Sequence, residues 1–385
     1  MKDTLRLGRL GGVPVGLNWS LLVVVALLAY GLANNRFPFD APGMSSGAYR
    51  AAGALSALVL LVCVLLHELG HAFVARRSGL GVDGITLSWM GGVTRIEGDS
   101  PRPRAELAIA AVGPGVSLLL GGLLWLVRML VAASGNHRLL IAALGWLAVI
   151  NVVLAVFNLF PAAPLDGGRV LHALVWSATG SRLRATRLSS RAGVVLGALV
   201  IGGGVVEGLR GSGGFSGFWI VLLGWWLLSA ARAEEQSADA HVALDGVRMA
   251  DLMRPVAAAP GWLTLESFVE RHTIPQPGYV WLLESWEGGY GSILSGDAVS
   301  AVPRSQWASL RPIDLGVPVG AAAGASPTEA VLDVLARTEG KQVLLVIDGG
   351  HTIGAVLPSD VAGRLRPRRR RPPLSRRIPA GAGST

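Results

Sequence analysis

Apolar stretches separated by short polar segments fill the first 231 residues. They lie near Leu17–Leu32, Ala51–Ala75, Leu107–Ala133, Leu139–Phe160, Ala192–Val206 and Phe215–Ala231. Most approach or exceed the roughly 20 residues a helix needs to cross hydrocarbon; the fifth is short and Gly-rich and is the weakest of the six. Between the second and third, Val82–Glu97 changes period. Ile85, Leu87 and Trp89 alternate with polar or small residues before Gly91-Gly92 interrupts. That is the pattern of a short β-hairpin or bent strand, although a plain connecting loop fits it nearly as well. After Ala231 the pattern changes again. Arg232–Ala240 is a polar linker, and from Val242 strand and helix signals mix. Two small units follow, one from Gly246 to about Pro303 and one from Arg311 to about Arg366. The second predicts a helix at Pro327–Arg337 and strands at Gln342–Asp348 and Thr352–Leu357. Each is too small for more than one supersecondary module, so the two are expected to pack as a pair. The expected architecture is a multi-pass α-helical membrane protein of about six spans with a short membrane-associated β-hairpin, followed by a C-terminal cytoplasmic α/β domain.

Composition agrees with a chain meant largely for lipid. Of the 385 residues, 51% are hydrophobic and 15% charged, against about 25% charged in soluble globular proteins. The formal net charge of +9 suggests nucleic acid until it is located. Eight arginines and no acid lie from Arg364 onward, and without them the charge is +1. The Pro-rich basic tail, residues 367–385 with its lead-in, reads as disordered, with anionic lipid headgroups its natural partner and nucleic acid the less favoured one. The remaining Lys and Arg alternate between loops. Lys2, Arg6 and Arg9 precede the first span. Arg76, Arg77, Arg95, Arg102 and Arg104 follow the second, and Arg169, Arg182, Arg184, Arg187 and Arg191 follow the fourth. The other loops hold only Arg36, Arg50, Arg138 and Arg210, with Arg128 near the outer end of the third span. Positive charge marks the cytoplasmic side, so both termini are expected there. The N-terminal apolar run is read as an uncleaved anchor, because later spans are oriented by it. Cys63, the only cysteine, sits in an apolar helix and reads as a small core residue.

Chemistry is concentrated in Val62–Arg77, VCVLLHELGHAFVARR. Residues four apart share a helix face, so His67 and His71 can present imidazoles to one metal ion. Glu68 follows the first histidine and can act as general base toward water at that ion. Ionisable groups in so apolar a setting are costly and mark function more often than accident. A third ligand is needed. Asp166, in Asn158-Leu-Phe-Pro-Ala-Ala-Pro-Leu-Asp-Gly-Gly168, is the only acid between Glu106 and Glu207 and lies on the same expected side. It completes a His₂-carboxylate set with the fourth position open; the plainer reading is a cap for the helix that follows. Asn158 and Asn151 are seven apart on one helix face, and either can bond a substrate carbonyl or tie helices together, the latter favoured for Asn151. Gly113-Pro114-Gly115 reads as a packing kink, His172 as the partner of a nearby backbone carbonyl or, less favoured, a support behind the metal ligands, and Trp219, Trp225 and Trp226 as lipid-facing or interfacial. His137 falls on the opposite side of the membrane.

The pentad, the Val82–Glu97 segment and the Asn158…Asp166-Gly167-Gly168 motif together resemble the site-2 protease family of intramembrane zinc metalloproteases. The chain is similar to the subgroup with six spans and a C-terminal pair of cystathionine-β-synthase (CBS) domains, over about residues 1–365. The resemblance implies one Zn²⁺ per chain with His67, His71 and Asp166 as ligands, and Glu68 as general base. It also implies a substrate-placing role for Asn158 and a re-entrant β-loop around Gly91 and Gly92, whose free strand edge is expected to bind an extended substrate. Ser117 stands where relatives often carry Asn. Domains are expected at 1–232 (membrane metalloprotease), 233–241 (linker), 242–303 and 304–366 (CBS-like modules) and 367–385 (basic tail). Val247–Pro255 resembles the opening of a CBS domain and Gly354–Asp360 its close. Adenosine-nucleotide sites in that family use a Thr or Ser three residues before the Asp. Leu294 before Asp297 and Leu357 before Asp360 offer no hydroxyl, which puts homodimerisation or docking at least level with nucleotide sensing.

The function these features imply is proteolysis of a membrane-bound substrate, a single-pass or other membrane protein such as an anti-sigma-type regulator, near the cytoplasmic face. A catalytically silent protein that binds helices without cutting them is the main alternative. A CBS-gated transporter ranks below it, since ionisable residues do not line several spans.

Overall fold

The computed structural model describes residues 5–89, 91–98, 100–135, 137–210, 214–338 and 343–365; the basic tail expected at 367–385 lies outside them. Two compact units divide the chain, Met1–Ala238 and Asp239–Thr385.

The first unit begins with β1 (Leu5–Leu10) and β2 (Val13–Leu17), then α1 (Ser20–Gly31), a π-helical turn at Leu32–Arg36 and the short α2 (Phe37–Asp40). The long α3 (Ser46–Arg77) leads into β3 (Gly81–Ser88) and β4 (Gly91–Glu97), and α4 (Pro103–Ser134) and α5 (Arg138–Asn158) follow. The last three helices are α6 (Asp166–Thr179), α7 (Arg182–Leu209) and α8 (Gly214–Leu244), whose last residues belong to the second unit. Among the described residues, five helical segments are long and apolar enough to cross a membrane: Ser20–Asp40, α3, α4, α5 and α7. α8 covers the sixth apolar stretch. The burial pattern is that of a protein solvated by lipid. Large aliphatics point outward, with Leu119, Leu130 and Leu199 72%, 63% and 68% exposed, while the interior holds Ala57, Ala72, Ala75, Ala110, Ala148 and Ala155. Small residues let helix backbones approach where lipid gives no hydrophobic drive to associate. The Gly-rich α7 follows the same rule, since a β-carbon at its Gly197 or Gly204 would strike the backbone of α8.

α3 is placed by its ends. Ser45 caps it, its hydroxyl accepting from Ala48 N–H at 3.2 Å, and Arg76 and Arg77 meet the negative end of its dipole. The alternating segment does form the hairpin β3–β4, but not alone. β2 pairs parallel with β3 and β1 antiparallel with β2, giving the order β1-β2-β3-β4. A solitary hairpin is therefore corrected to a four-stranded sheet. The alternation of Leu5 and Leu7 is masked in sequence by Arg6 and Arg9, which resemble a basic lead-in to a span. Ile85 and Leu87 of β3 pack with Val13, Leu21 and Ala72, seating the sheet on α1 and α3. β4 is the edge strand beside α3.

The second unit is one seven-stranded sheet in the order β8-β7-β6-β5-β11-β10-β9. Its strands are β5 (Arg254–Pro260), β6 (Val280–Glu284), β7 (Tyr290–Ser295), β8 (Val317–Pro318), β9 (Ala323–Ala325), β10 (Leu344–Asp348) and β11 (His351–Val356). One pattern occurs twice. β5 and β9 pair parallel with β6 and β10, which pair antiparallel with β7 and β11, and a short helix follows each at Gly296–Ser300 and Pro358–Leu365. The helix expected from Pro327 starts later, at Val331, because Ala330 is held in a bridge to Arg248. Arg254 joins the two halves: its Nε donates to Asp360 Oδ1 at 2.6 Å and its Nη2 to Asp297 Oδ2 at 3.3 Å.

Candidate metal centre

Three of the expected site residues meet at one point. On α3, one turn brings His67 Nε2 within 3.2 Å of His71 Nε2. Asp166 Oδ2 lies 3.2 Å from the first and 3.3 Å from the second. A tetrahedral ion bonded at about 2.0–2.1 Å places its ligand atoms roughly 3.3–3.4 Å apart, so the three donors form one face of such a tetrahedron. No other group of three or more His, Cys, Asp or Glu among the described residues is arranged to hold a metal. The donor chemistry fits zinc: two imidazoles and a carboxylate, with one position left for water or substrate.

Each imidazole is fixed from behind. His71 Nδ1 donates to the Ile109 carbonyl at 2.6 Å. A carbonyl can only accept, so Nε2 carries the bare lone pair a metal needs. His67 Nδ1 lies 2.9 Å from the Ser117 hydroxyl, wholly buried on α4, and donating there frees its Nε2 likewise. Both supports come from α4, and so does the floor of the site. A β-carbon on Gly113 would fall closer than 3.0 Å to the Nε2 atoms of both histidines. Gly113 therefore acts as a cradle rather than only a packing kink, and the donors can be occupied only because this position lacks a side chain.

Asp166 opens α6 as its first residue; Leu165 is the cap residue and makes no side-chain cap bond. The capping alternative fails because the carboxylate is turned to the histidines. Burial pushes its carboxyl up, but its close contact with the His67 and His71 rings outweighs this and holds it at about 2, so it is ionised near neutral pH. Gly167 and Gly168 let the first turn of α6 close against the backbone of Leu159–Ala163, where a β-carbon would collide.

Glu68 is buried beside the pair of histidines. The Thr94 hydroxyl of β4 donates to its Oε2 at 2.7 Å. A β-carbon at Gly92 would collide with the Glu68 carboxylate, so the edge strand lies directly on this side chain. Gly91 and Gly92 join His67, Glu68, His71, Asn158 and Asp166 around one cavity of about 420 Å³. Asn158 thus reaches the site. Asn151 does not: buried on α5, it donates to the Leu147 carbonyl at 2.8 Å.

Sequence reasoning misplaced several neighbours. Trp226 lines the cavity with Leu223 and Arg169, so it is not simply lipid-facing. His172 meets side chains, not a backbone carbonyl; its ring lies 2.9 Å from Glu106 Oε1 and 3.1 Å from Thr186 Oγ1. Thr94 and Ser117 carry no local signal for their contacts with Glu68 and His67.

Comparison with known proteins places this geometry. Residues 55–137 and 129–200 match the model of Peptidase family M50. The chain is 34% identical over 366 residues to "Putative zinc metalloprotease Rip3" of Mycobacterium tuberculosis, covering 94% of this chain and 93% of the relative. It is 32% identical to a protein of Synechocystis sp. under the same description, sll0528, covering 80% of each. Among solved structures, the site-2 protease of Methanocaldococcus jannaschii aligns with 26% identity and a TM-score of 0.40, over 60% of this chain and 94% of that one.

Proposed function

The chain belongs to peptidase family M50, metalloproteases of the site-2 type, and from that premise we propose that it cuts transmembrane helices of membrane-bound substrates. The carrying observation is the triangle of His67, His71 and Asp166 donor atoms with the Glu68 carboxylate buried beside it on the same helix. His67, His71 and Asp166 would hold the Zn²⁺, one per chain. Bound there, zinc supplies Lewis-acid polarisation of a peptide carbonyl and lowers the pKa of water toward about 7.

Glu68 takes the proton of the attacking water and returns it to the leaving amine. Thr94 holds the Glu68 carboxylate in one rotamer for both transfers. A substrate helix enters from the bilayer, unwinds and lies extended along the outer edge of β4, whose free backbone groups pair with it. Gly91 and Gly92 allow that backbone to come close, and Asn158 bonds a substrate carbonyl. The proposed topology counts six spans with α8 as the last, and the Lys/Arg distribution supports both termini and the active site lying toward the cytoplasmic face of the cell membrane.

The second unit is a CBS-like pair at 242–303 and 304–366. Its twice-repeated strand pattern supports that reading, and Arg254 occupies Asp297 and Asp360, which weighs against adenosine-nucleotide sensing and leaves docking or homodimerisation as the role proposed for the pair. The substrate is a single-pass or other membrane protein, of which an anti-sigma-type regulator is the kind the resemblance implies.

The test compares membrane-protein fragments in cells carrying the wild-type chain or Glu68→Gln. A membrane protein that stays uncut only with the variant establishes the protease and its substrate together. Equal processing by the Glu68→Gln chain would overturn the mechanism.

A further inference from the structure

α4 and α6 are joined at a second level, away from the donor atoms. His172 of α6 has its Nδ1 2.9 Å from Glu106 Oε1 of α4, with both side chains mostly buried. Its Nε2 lies 3.1 Å from the Thr186 hydroxyl of α7. That hydroxyl gives its one proton to the Arg182 carbonyl at 3.1 Å, so toward His172 it only accepts, and Nε2 carries a hydrogen. The Nδ1 contact is an ion pair rather than an aligned hydrogen bond. A bare lone pair facing a carboxylate at that distance would repel it, so the two groups hold a proton between them and attract through charge. Glu234 of α8 feels Arg169 of α6 along with His172 and Glu106, so two acids, an arginine and the imidazole form one group.

Each of the two helices also holds part of the metal centre. α4 supplies the floor at Gly113, the Ile109 carbonyl behind His71 and the Ser117 hydroxyl behind His67. α6 supplies Asp166. Glu106 precedes Gly113 by seven residues and His172 follows Asp166 by six, about 10 Å and 9 Å along the two axes. The tie therefore lies about two turns from the donors on both helices, and two fixed levels limit how far α6 slides or turns on α4. The first turn of α6 packs through Gly167 and Gly168, which bring no side chain to set its register. Apolar contacts are non-directional, whereas a buried charged pair can specify one arrangement. The donors leave little room. Asp166 Oδ2 lies 3.2 Å from one Nε2 and 3.3 Å from the other, and metal bonds tolerate only about 0.2 Å.

We infer that Glu106 and His172 are positioning residues for the metal centre, holding α6 on α4 in the register that keeps Asp166 against the two histidines. The inference rests on the reading of His67, His71 and Asp166 as the zinc donors.

The test measures metal binding by the full chain in detergent. Chelator competition gives the affinity for Zn²⁺, and the d–d absorption of Co²⁺ reports the geometry of the donors. Glu106→Gln and His172→Gln are each expected to weaken zinc by about tenfold, the low end for partners behind ligands, and to alter the Co²⁺ bands. The double variant is expected to lose no more than either single one, because the two residues act as one tie. Glu106→Asp, which keeps the charge, is expected to retain most of the affinity. Should the glutamine variants misfold by circular dichroism, Thr186→Val carries the comparison, since it removes the acceptor that orients His172, and a severalfold loss is expected. A pair that merely stabilised the fold would lower the unfolding temperature of the metal-free protein and leave zinc affinity and Co²⁺ bands as in wild type; that result overturns the inference. Losses that add in the double variant overturn the tie. Absence of Co²⁺ bands from the wild-type chain overturns the donor set itself, and the inference with it.

Discussion

The Thr94 hydroxyl donates a 2.7 Å hydrogen bond to the carboxylate of Glu68, so the strand proposed to receive the substrate also holds the carboxylate proposed as general base. Glu68 lies one residue past His67 on α3, and its backbone is set by the helix, but its carboxylate is set by the sheet. Hydrogen bonds to charged groups contribute about 1.5–3 kcal/mol, and about 1.4 kcal/mol is tenfold in rate. Thr94→Val is therefore expected to lower kcat roughly tenfold or more with zinc content unchanged, and Thr94→Ser to restore most of it. Equal turnover by Thr94→Val in reconstituted vesicles would remove the grip from the mechanism.

Gly113 gives a sharper test, because two effects of one substitution oppose each other. In a helix, alanine is favoured over glycine by about 0.5–1 kcal/mol, so Gly113→Ala should leave α4 at least as stable. Its methyl would nonetheless press on both histidine Nε2 atoms. The expected result is a folded protein that binds little zinc, seen by metal analysis of protein whose thermal unfolding is intact. Full zinc occupancy in this variant would show that the cradle yields.

Ser117 would act on a bound metal through His67. Removing its hydroxyl leaves His67 Nδ1 without its 2.9 Å partner, and partners of this kind change metal affinity by about 10–100-fold. Ser117→Ala is expected to weaken zinc binding by about tenfold in a chelator competition, with activity restored at high free zinc. Loss of activity that added zinc does not restore would place Ser117 elsewhere in the reaction.

Glu68 and Asp166 are separable. Glu68→Gln should retain zinc and lose cleavage, whereas Asp166→Ala should lose both, since it removes one of the three donors. Treating wild-type protein with a strong chelator should abolish cleavage, and zinc should restore it to wild-type but not to either variant. Stoichiometric zinc in Asp166→Ala would take Asp166 out of the donor set.

Much of this centre is legible in the sequence because its spacing is local. His67 and His71 are one helical turn apart, and Glu68 adjoins the first; a helix alone brings them together. Asp166 stands out by isolation, a single acid in a long apolar tract. The rest acts across the fold. Ser117 meets His67 fifty residues away, and Thr94 meets Glu68 across a strand-to-helix contact. A hydroxyl announces neither partner in advance. Gly113 reads as packing because glycine in membrane helices ordinarily is packing, and only the positions of two imidazoles show otherwise. The extra strands β1 and β2 are missed for a different reason. β2 pairs with β3, more than sixty residues onward, β1 joins the sheet only through β2, and arginines interleaved among the leucines give the look of a span flank.

The distance along the chain between His67 and Asp166, ninety-nine residues, is also an interval of time. A ribosome adds about 5–20 residues per second, so the two histidines stand in the nascent chain for roughly 5–20 seconds before the carboxylate between them exists. Ile109 and Ser117, which hold the imidazoles, arrive within that wait, and Asp166 comes only after α5 has been made. A peptidase born in the membrane beside other newly made helices is thus harmless until two further spans have been synthesised. The order of its own residues delays its arming.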